Sequence, residues 1–236
     1  MAGSEWPWGE LIAAFVAFLA SHVLPSRPRI RAALCAIAGE RAYVAGYSLI
    51  SLVLLGWLIV AAGRAPFVAV WEFAPWQLWV PNIAMPVACA LFAFGVGASN
   101  PFSFGGRAPQ AFDPEHPGIA GVTRHPLLLA IVLWAGSHAV PNGDLAHVLL
   151  FGTFALAGVA GMLAIDRRTR RRLGEEQWQR LAARTSLIPG AALLTGRWRP
   201  DPRRLSLWRL ALAFALYVSL VLLHQPVIGV SPQPGL

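Results

Sequence analysis

With 236 residues, 56% of them hydrophobic and 13% charged, and a mean hydropathy of +0.56, the chain is too apolar for an ordinary soluble domain. A formal charge of +8 and a pI near 11.1 would suggest nucleic acid in a soluble protein. Here the basic residues fall between apolar runs, which points to anionic lipid headgroups instead. All 19 basic residues are arginine, a usage read as compositional bias rather than recognition chemistry.

Several runs approach the ~20 apolar residues needed to cross a ~30 Å hydrocarbon layer. The first, about residues 8–24, follows Glu5 rather than a basic leader, so it reads as a retained span with Trp6 and Trp8 as interfacial anchors. His22 stands near its far end. A loop with Arg27, Arg29, Arg31 and Arg41 leads to a second span, about 42–62. A nearly uncharged connection with Trp71, Trp76 and Trp79 precedes a third, about 77–98, which Pro86 is expected to kink. Cys35 falls in a loop and Cys89 in a span, in no metal or redox spacing, so no disulfide is expected.

The Gly- and Pro-rich stretch 99–125 is too long for a simple connector and belongs to the functional or disordered kind. It ends in Arg124-His125-Pro126, where a fourth span, about 126–140, begins with a tolerated first-turn proline. Asn142-Gly143 stops that helix and Asp144 can cap the fifth span, about 145–165, so the two form an antiparallel hairpin. Residues 166–206 carry most of the arginines together with Glu175, Glu176 and Trp178, and read as an amphipathic extension at the membrane surface. A sixth span, about 207–224, precedes a Pro-rich tail. The expected fold is all-α: one membrane domain over residues 1–236, a polytopic bundle of about six transmembrane helices.

The three loops on one side hold four, two and twelve arginines, leaving only Arg64 for the other. The positive-inside rule then predicts both termini outside, with the Arg-rich loops cytoplasmic in a membrane of the bacterial inner-membrane type. That topology groups His22 and His125 near the inner face. His138, His147 and His224 group near the outer one, and His116 lies in an inner loop.

A histidine in a span is either a metal, haem or proton-relay group, or an interfacial ring bonded to a carbonyl or headgroup. Two imidazoles on one haem iron need similar depth on facing helices. Arg124 either snorkels to lipid phosphate or, with the free N–H groups of the helix start, holds an anionic cofactor group. Asn142 and Asp144 are either helix punctuation or a polar site shared with His138. Trp134 shares a helical face with His138, as plain packing or as an aromatic wall.

SHVLPS closing the first span, GERAYVAGYSLISL entering the second, TRHPLLLAIVLWAGSH, PNGD and HQPVIGVSP together resemble the NnrU family, over nearly the whole chain. That family includes 15-cis-zeta-carotene isomerases. The resemblance implies a haem b membrane protein that isomerises a central cis double bond of an apolar polyene, or a denitrification-associated protein. Carried over by position, it implies His22 and His138 as axial ligands. On straight spans the two differ by roughly 13 Å in depth at 1.5 Å per residue, so geometry favours His22 with His125. Ala135 stands where the plant isomerases place a cysteine, so no thiol ligand exchange is expected.

Arg124-His125-Pro126, followed later by EEQWQRLAARTSLIP, also resembles isoprenylcysteine-carboxyl methyltransferases. This implies S-adenosylmethionine held by Arg124, His125 and Glu176. Leu128, Ala130 and Leu181 depart from that pattern. A third reading is a non-enzymatic accessory protein, for which the sequence specifies no protein partner.

Overall fold

Hydrocarbon offers backbone N–H and C=O groups no partner, so a chain of this composition satisfies them within helices. The computed structural model describes residues 7–25, 27–104 and 111–234. Among these, the α-helices are α1 (Pro7–Val23), α2 (Pro28–Ala38), α3 (Glu40–Arg64), α4 (Trp79–Gly95), α5 (Ile119–Val122), α6 (Pro126–Ala139), α7 (Leu145–Leu173), α8 (Glu175–Ala182), α9 (Ala191–Leu194) and α10 (Leu207–Ile228). Among the described residues there is no strand, only an isolated antiparallel bridge between Ala69 and Asp144. The expected anchor Trp6 and the 105–110 part of the Gly/Pro-rich stretch lie outside the described residues.

The expected apolar runs correspond to α1, α3, α4, α6, α7 and α10. Among the described residues, α3, α4 with its leading 3-10 turn, α7 and α10 are long and apolar enough to cross a membrane; α1 and α6 are shorter apolar helices. Their outward side chains include Leu52, Leu156, Phe214 and Leu222, each roughly two-thirds exposed or more. Such a surface suits lipid and not water. At 1.5 Å per residue the 29 residues of α7 reach about 43 Å, well beyond a ~30 Å hydrocarbon layer. The excess is its arginine-rich end, so the fifth apolar run and the start of the polar segment are one helix.

Two stretches read as irregular are ordered. The first loop contains α2, with Pro28 in its first turn; it ends at Gly39, whose φ of +80° suits a glycine and whose N–H returns to the Cys35 carbonyl. Cys35 therefore lies on a helix rather than in a loop. Both cysteines are free, Cys89 being buried in α4. The third expected span is α-helical from Trp79 (α4) rather than Gln77, because Pro75–Leu78 forms a 3-10 turn in which the Gln77 side chain accepts from the Ala74 N–H.

The contacts fall into two compact units. In the first, Met1–Glu72 with Gly143–Leu150, α3 packs against α1 and α2, burying Leu11, Ala14, Leu58, Ala61 and Ala62. The Gly143 carbonyl accepts from the N–H groups of Val70 (2.7 Å) and Trp71 (3.2 Å), and the Leu145 N–H reaches the Val68 carbonyl at 2.8 Å. A Cβ at Gly143 would overlap the Trp71 carbonyl oxygen, so this glycine permits a close backbone approach.

In the second unit, Phe73–Asn142 with Phe151–Leu236, α4 packs against α6 and α10, and Ala88, Leu91, Leu129, Ala130 and Met162 form a core. Small residues bring α7 close to α6: Gly158 faces Val132 and the Leu128 carbonyl, and Gly161 faces the Leu128 side chain. Lipid gives no hydrophobic drive between helices, so such close van der Waals approach is what holds them. A separate core of Phe102, Phe112 and Ala120 takes in Trp178 and Leu181 of α8. The Gly/Pro-rich stretch and the polar segment thus fold on each other, and α8 is more than a surface extension.

A Cβ at Gly158 would stand 2.6 Å from Val132 Cγ2, whereas one at Gly152 meets nothing within 4 Å. Gly158→Leu is expected to cost about 1–3 kcal/mol, read as a lowered Tm in detergent. Gly152→Ala on the same helix is expected to leave Tm unchanged or raised. Equal effects at both sites would refute the close packing.

Candidate functional site

Arg124 and His125 occupy the sharp entry to α6, where His125 is the residue before the helix and Pro126 its first. The entry is fixed from both sides. Asn100 donates from Nδ2 to the Arg124 carbonyl (3.0 Å), and the Arg124 N–H donates to the Ser186 carbonyl (2.7 Å). Into this corner α7 delivers Asp166. Its carboxylate accepts from Arg124 Nη2 at 2.6 Å and Nε at 3.0 Å, and from His125 Nε2 at 2.7 Å. Arg124 Nη1 donates to Thr185 Oγ1 at 3.3 Å, and the guanidinium lies 5.3 Å from the Trp178 ring centroid.

Arg124 and Asp166 side chains are 13% and 12% exposed and His125 is fully buried, so this cluster is internal. The carboxylate can only accept, so Nε2 of His125 carries the proton. Nδ1 is then a buried atom without a partner among the described residues. The guanidinium answers one carboxylate and has its remaining face on Thr185 and Trp178. Glu176 is exposed on α8, whereas Arg124 and His125 are turned to Asp166 in the interior.

At the other end of α6 the chemistry differs. His138 Nδ1 lies 2.8 Å from the Trp134 carbonyl, one turn back. A carbonyl only accepts, so Nδ1 holds the proton and Nε2 carries a free lone pair. The ring packs against Phe151 (centroids 5.6 Å) and Trp134 (6.0 Å), which in turn contacts Phe154. His224 of α10 stands beside His138, centroids 6.4 Å apart and planes inclined 20°. Its Nδ1 lies 2.8 Å from the Val230 carbonyl, which again leaves Nε2 as an acceptor.

One turn before this pair, Trp134 and Leu220 line an apolar cleft of about 400 Å³ together with Cys89, Phe92, Ile131 and Leu216. In the first unit, His22 shows the same pattern: Nδ1 is 2.8 Å from the Phe18 carbonyl, with the ring packed on Phe18 and Tyr47.

The remaining sequence candidates make local hydrogen bonds. Asn142 donates to the His138 carbonyl at 2.7 Å and closes α6. Asp144 accepts from the His147 N–H at 3.2 Å, as a cap, and from the His147 ring at 2.7 Å. His116 donates to Asp113 on the surface, a bond that holds the Asp113 carboxyl below the usual carboxylate range. Sequence reasoning missed Asp166, Thr185 and Trp178 as partners of Arg124. The available signal was an acid at the arginine-rich end of an apolar run, where ionisable groups need partners.

Removing one member of a buried ionic set strands the others, at about 3–5 kcal/mol. Asp166→Asn is therefore expected to lower Tm in detergent and to open the arginine-rich 174–199 region to trypsin. Glu175→Gln, which removes the exposed partner of Arg170, should change neither. A silent Asp166→Asn variant would disprove the structural role of the cluster.

The model of the family described as NnrU protein matches residues 10–232. No curated protein and no solved structure matches the chain. With the match extending across α1 to α10, the chain belongs to the NnrU family.

Proposed function

We propose that this NnrU protein binds haem through His138 and acts on an apolar polyene as a cis–trans isomerase. The observation that carries the reading is the tautomer of His138. An imidazole that ligates iron presents one nitrogen and donates its other N–H to a backbone carbonyl or carboxylate, which fixes the ring and raises its basicity. His138 meets that requirement through the Trp134 carbonyl, and His22, the second ligand implied by the resemblance, meets it through the Phe18 carbonyl. His125 has the same donor pattern through Asp166, but its remaining nitrogen, Nδ1, is sealed in the interior.

Haem iron, when bound, supplies a centre that can engage the electrons of a polyene double bond. The residues of this chain hold and shape the site. Trp134 and Phe151 fix the His138 ring, and the apolar cleft one turn away gives a linear hydrocarbon a lining with almost no polar surface to satisfy. The arginine distribution supports a sidedness in which residues 166–206 face the cytoplasm and both termini the opposite side.

Full-length protein expressed with a haem supply and purified in detergent is expected to show a Soret band. His138→Ala should lower its absorbance per protein at least tenfold, and His116→Ala should leave it intact. Reduced holoprotein is expected to convert a 15-cis polyene in micelles to the trans isomer, followed by chromatography. Wild-type protein without a Soret band would overturn the haem reading; haem without conversion would overturn the isomerase reading.

A further inference from the structure

We infer that the exposed face of α7 binds an anionic phospholipid, with the headgroup phosphate on Arg167, Arg168, Arg171 and Arg172 and the acyl chains along Leu156, Val159 and Leu163. The inference concerns a surface that the haem reading does not use, and it stands or falls independently of that reading.

Residues four apart on an α-helix follow one another along a single row of its surface. On α7 two such rows change character at the same height. One runs Val159, Leu163, Arg167, Arg171, and every member is exposed. Its neighbour runs Leu156, Ala160, Ala164, Arg168, Arg172, and is exposed throughout as well. The opposite side of the helix is turned inward: Met162, Asp166 and Thr169 are buried, and Gly158 meets Val132 of α6. Packing therefore fixes both rows outward. The roughly 20 residues of α7 ahead of the arginines cover about 30 Å, the thickness of a hydrocarbon layer. The guanidinium groups thus stand at headgroup height, directly above a strip that suits lipid chains.

These charges are unanswered within the protein. Asp166, the acid next to them in sequence, is turned to Arg124 and His125, and Glu175 is taken by Arg170. Among the described residues no carboxylate forms an ion pair with any of the four arginines. Like charges three and four residues apart on a helix repel, so the set gains from an anion placed between them. The helix dipole favours cations in the last turn, which accounts for Arg171 and Arg172 but not for Arg167 and Arg168. A guanidinium fork matches the oxygens of a phosphate, and arginines near an anionic leaflet each add to lipid binding. A soluble anion would meet the arginines only. A phospholipid meets both halves of each row.

In the test, full-length protein purified in detergent is mixed with equal amounts of phosphatidylglycerol and phosphatidylcholine of the same chains. Retained lipid is then counted by native mass spectrometry. Wild-type protein is expected to retain phosphatidylglycerol over phosphatidylcholine by about fivefold or more. Arg168→Gln combined with Arg171→Gln, at the centre of the face, should bring that ratio below about two. Arg199→Gln combined with Arg203→Gln removes the same charge from exposed positions elsewhere in the polar segment and should leave the ratio unchanged. Arg168→Lys with Arg171→Lys should keep the preference, which ties the effect to charge rather than to folding. Added glycerol phosphate, the anion without the chains, should not displace the lipid. Equal retention of the two lipids by wild type, or an equal loss in both Gln pairs, would overturn the inference. So would a loss in the Lys pair as large as in its Gln counterpart. Displacement by glycerol phosphate would overturn it too, assigning the arginines to a soluble anion.

Discussion

Asp166 carries a negative charge into an interior corner and is met there by a guanidinium on one side and an imidazole on the other. Desolvating such charges costs several kcal/mol per ion, and attraction offsets this only when geometry is good and the remaining hydrogen-bonding capacity is used. The corner meets both conditions through residues far apart in the chain: Asn100 and Ser186 hold the backbone of Arg124, and Thr185 and Trp178 hold its side chain. The members are stable only as a set. Satisfying Asp166 therefore fixes where α6 begins, which turn of α7 meets it and how Asn100 and Arg124 lie against Thr185 and Ser186. Because α6 is a rigid rod of 14 residues, fixing its start also fixes its last turn, about 20 Å away, where His138 stands.

The same side chain type is used in two opposite ways along that rod. At the start of α6, His125 donates to a carboxylate and is sealed, its other nitrogen idle in the interior. At the end, His138 donates to a carbonyl of its own helix and keeps its acceptor nitrogen beside a second imidazole and next to an apolar cleft. One arrangement ties chain segments together; the other orients a ligand atom. An unmet acceptor costs on the order of 1–3 kcal/mol when buried. That cost falls on the sealed Nδ1 of His125, whereas the rings of His138 and His224 are only partly buried.

Much of this fold was legible because the solvent is restrictive. Hydrocarbon demands continuous apolar helices, and the runs ending at His22, His138 and His224 announced themselves by length and composition. Helix punctuation was equally local: Pro126, Asn142 and Asp144 act within one turn of where they stand. Depth sorting from arginine bias also grouped His138 with His224, although it added His147, which instead pairs with its own cap Asp144. What stayed hidden was long-range and polar. Asp166 lies 42 residues from Arg124 and beside an arginine run that offers nearer partners, so no periodicity marks it as buried. Phe112 and Trp178 sit in stretches whose Gly, Pro and Arg content reads as loop, yet they share a core with Phe102.

The competing assignments of the ligand pair follow from how each argument treats a helix. Counting residues from a membrane boundary assigns depth but says nothing of which ring nitrogen is available, and so it favoured His125. Hydrogen bonds and burial bear on that question differently, because they show which nitrogen keeps a lone pair and whether anything can reach it. His22, His138 and His224 each have Nδ1 on a carbonyl, and His125 has the same pattern with its nitrogens exchanged, Nε2 on Asp166; what sets His125 apart is that its remaining nitrogen is buried. Within the second unit His138 and His224 are neighbours, centroids 6.4 Å apart. Availability of the lone pair comes first, position second, and depth in the bilayer is then a consequence of where α6 and α10 already lie.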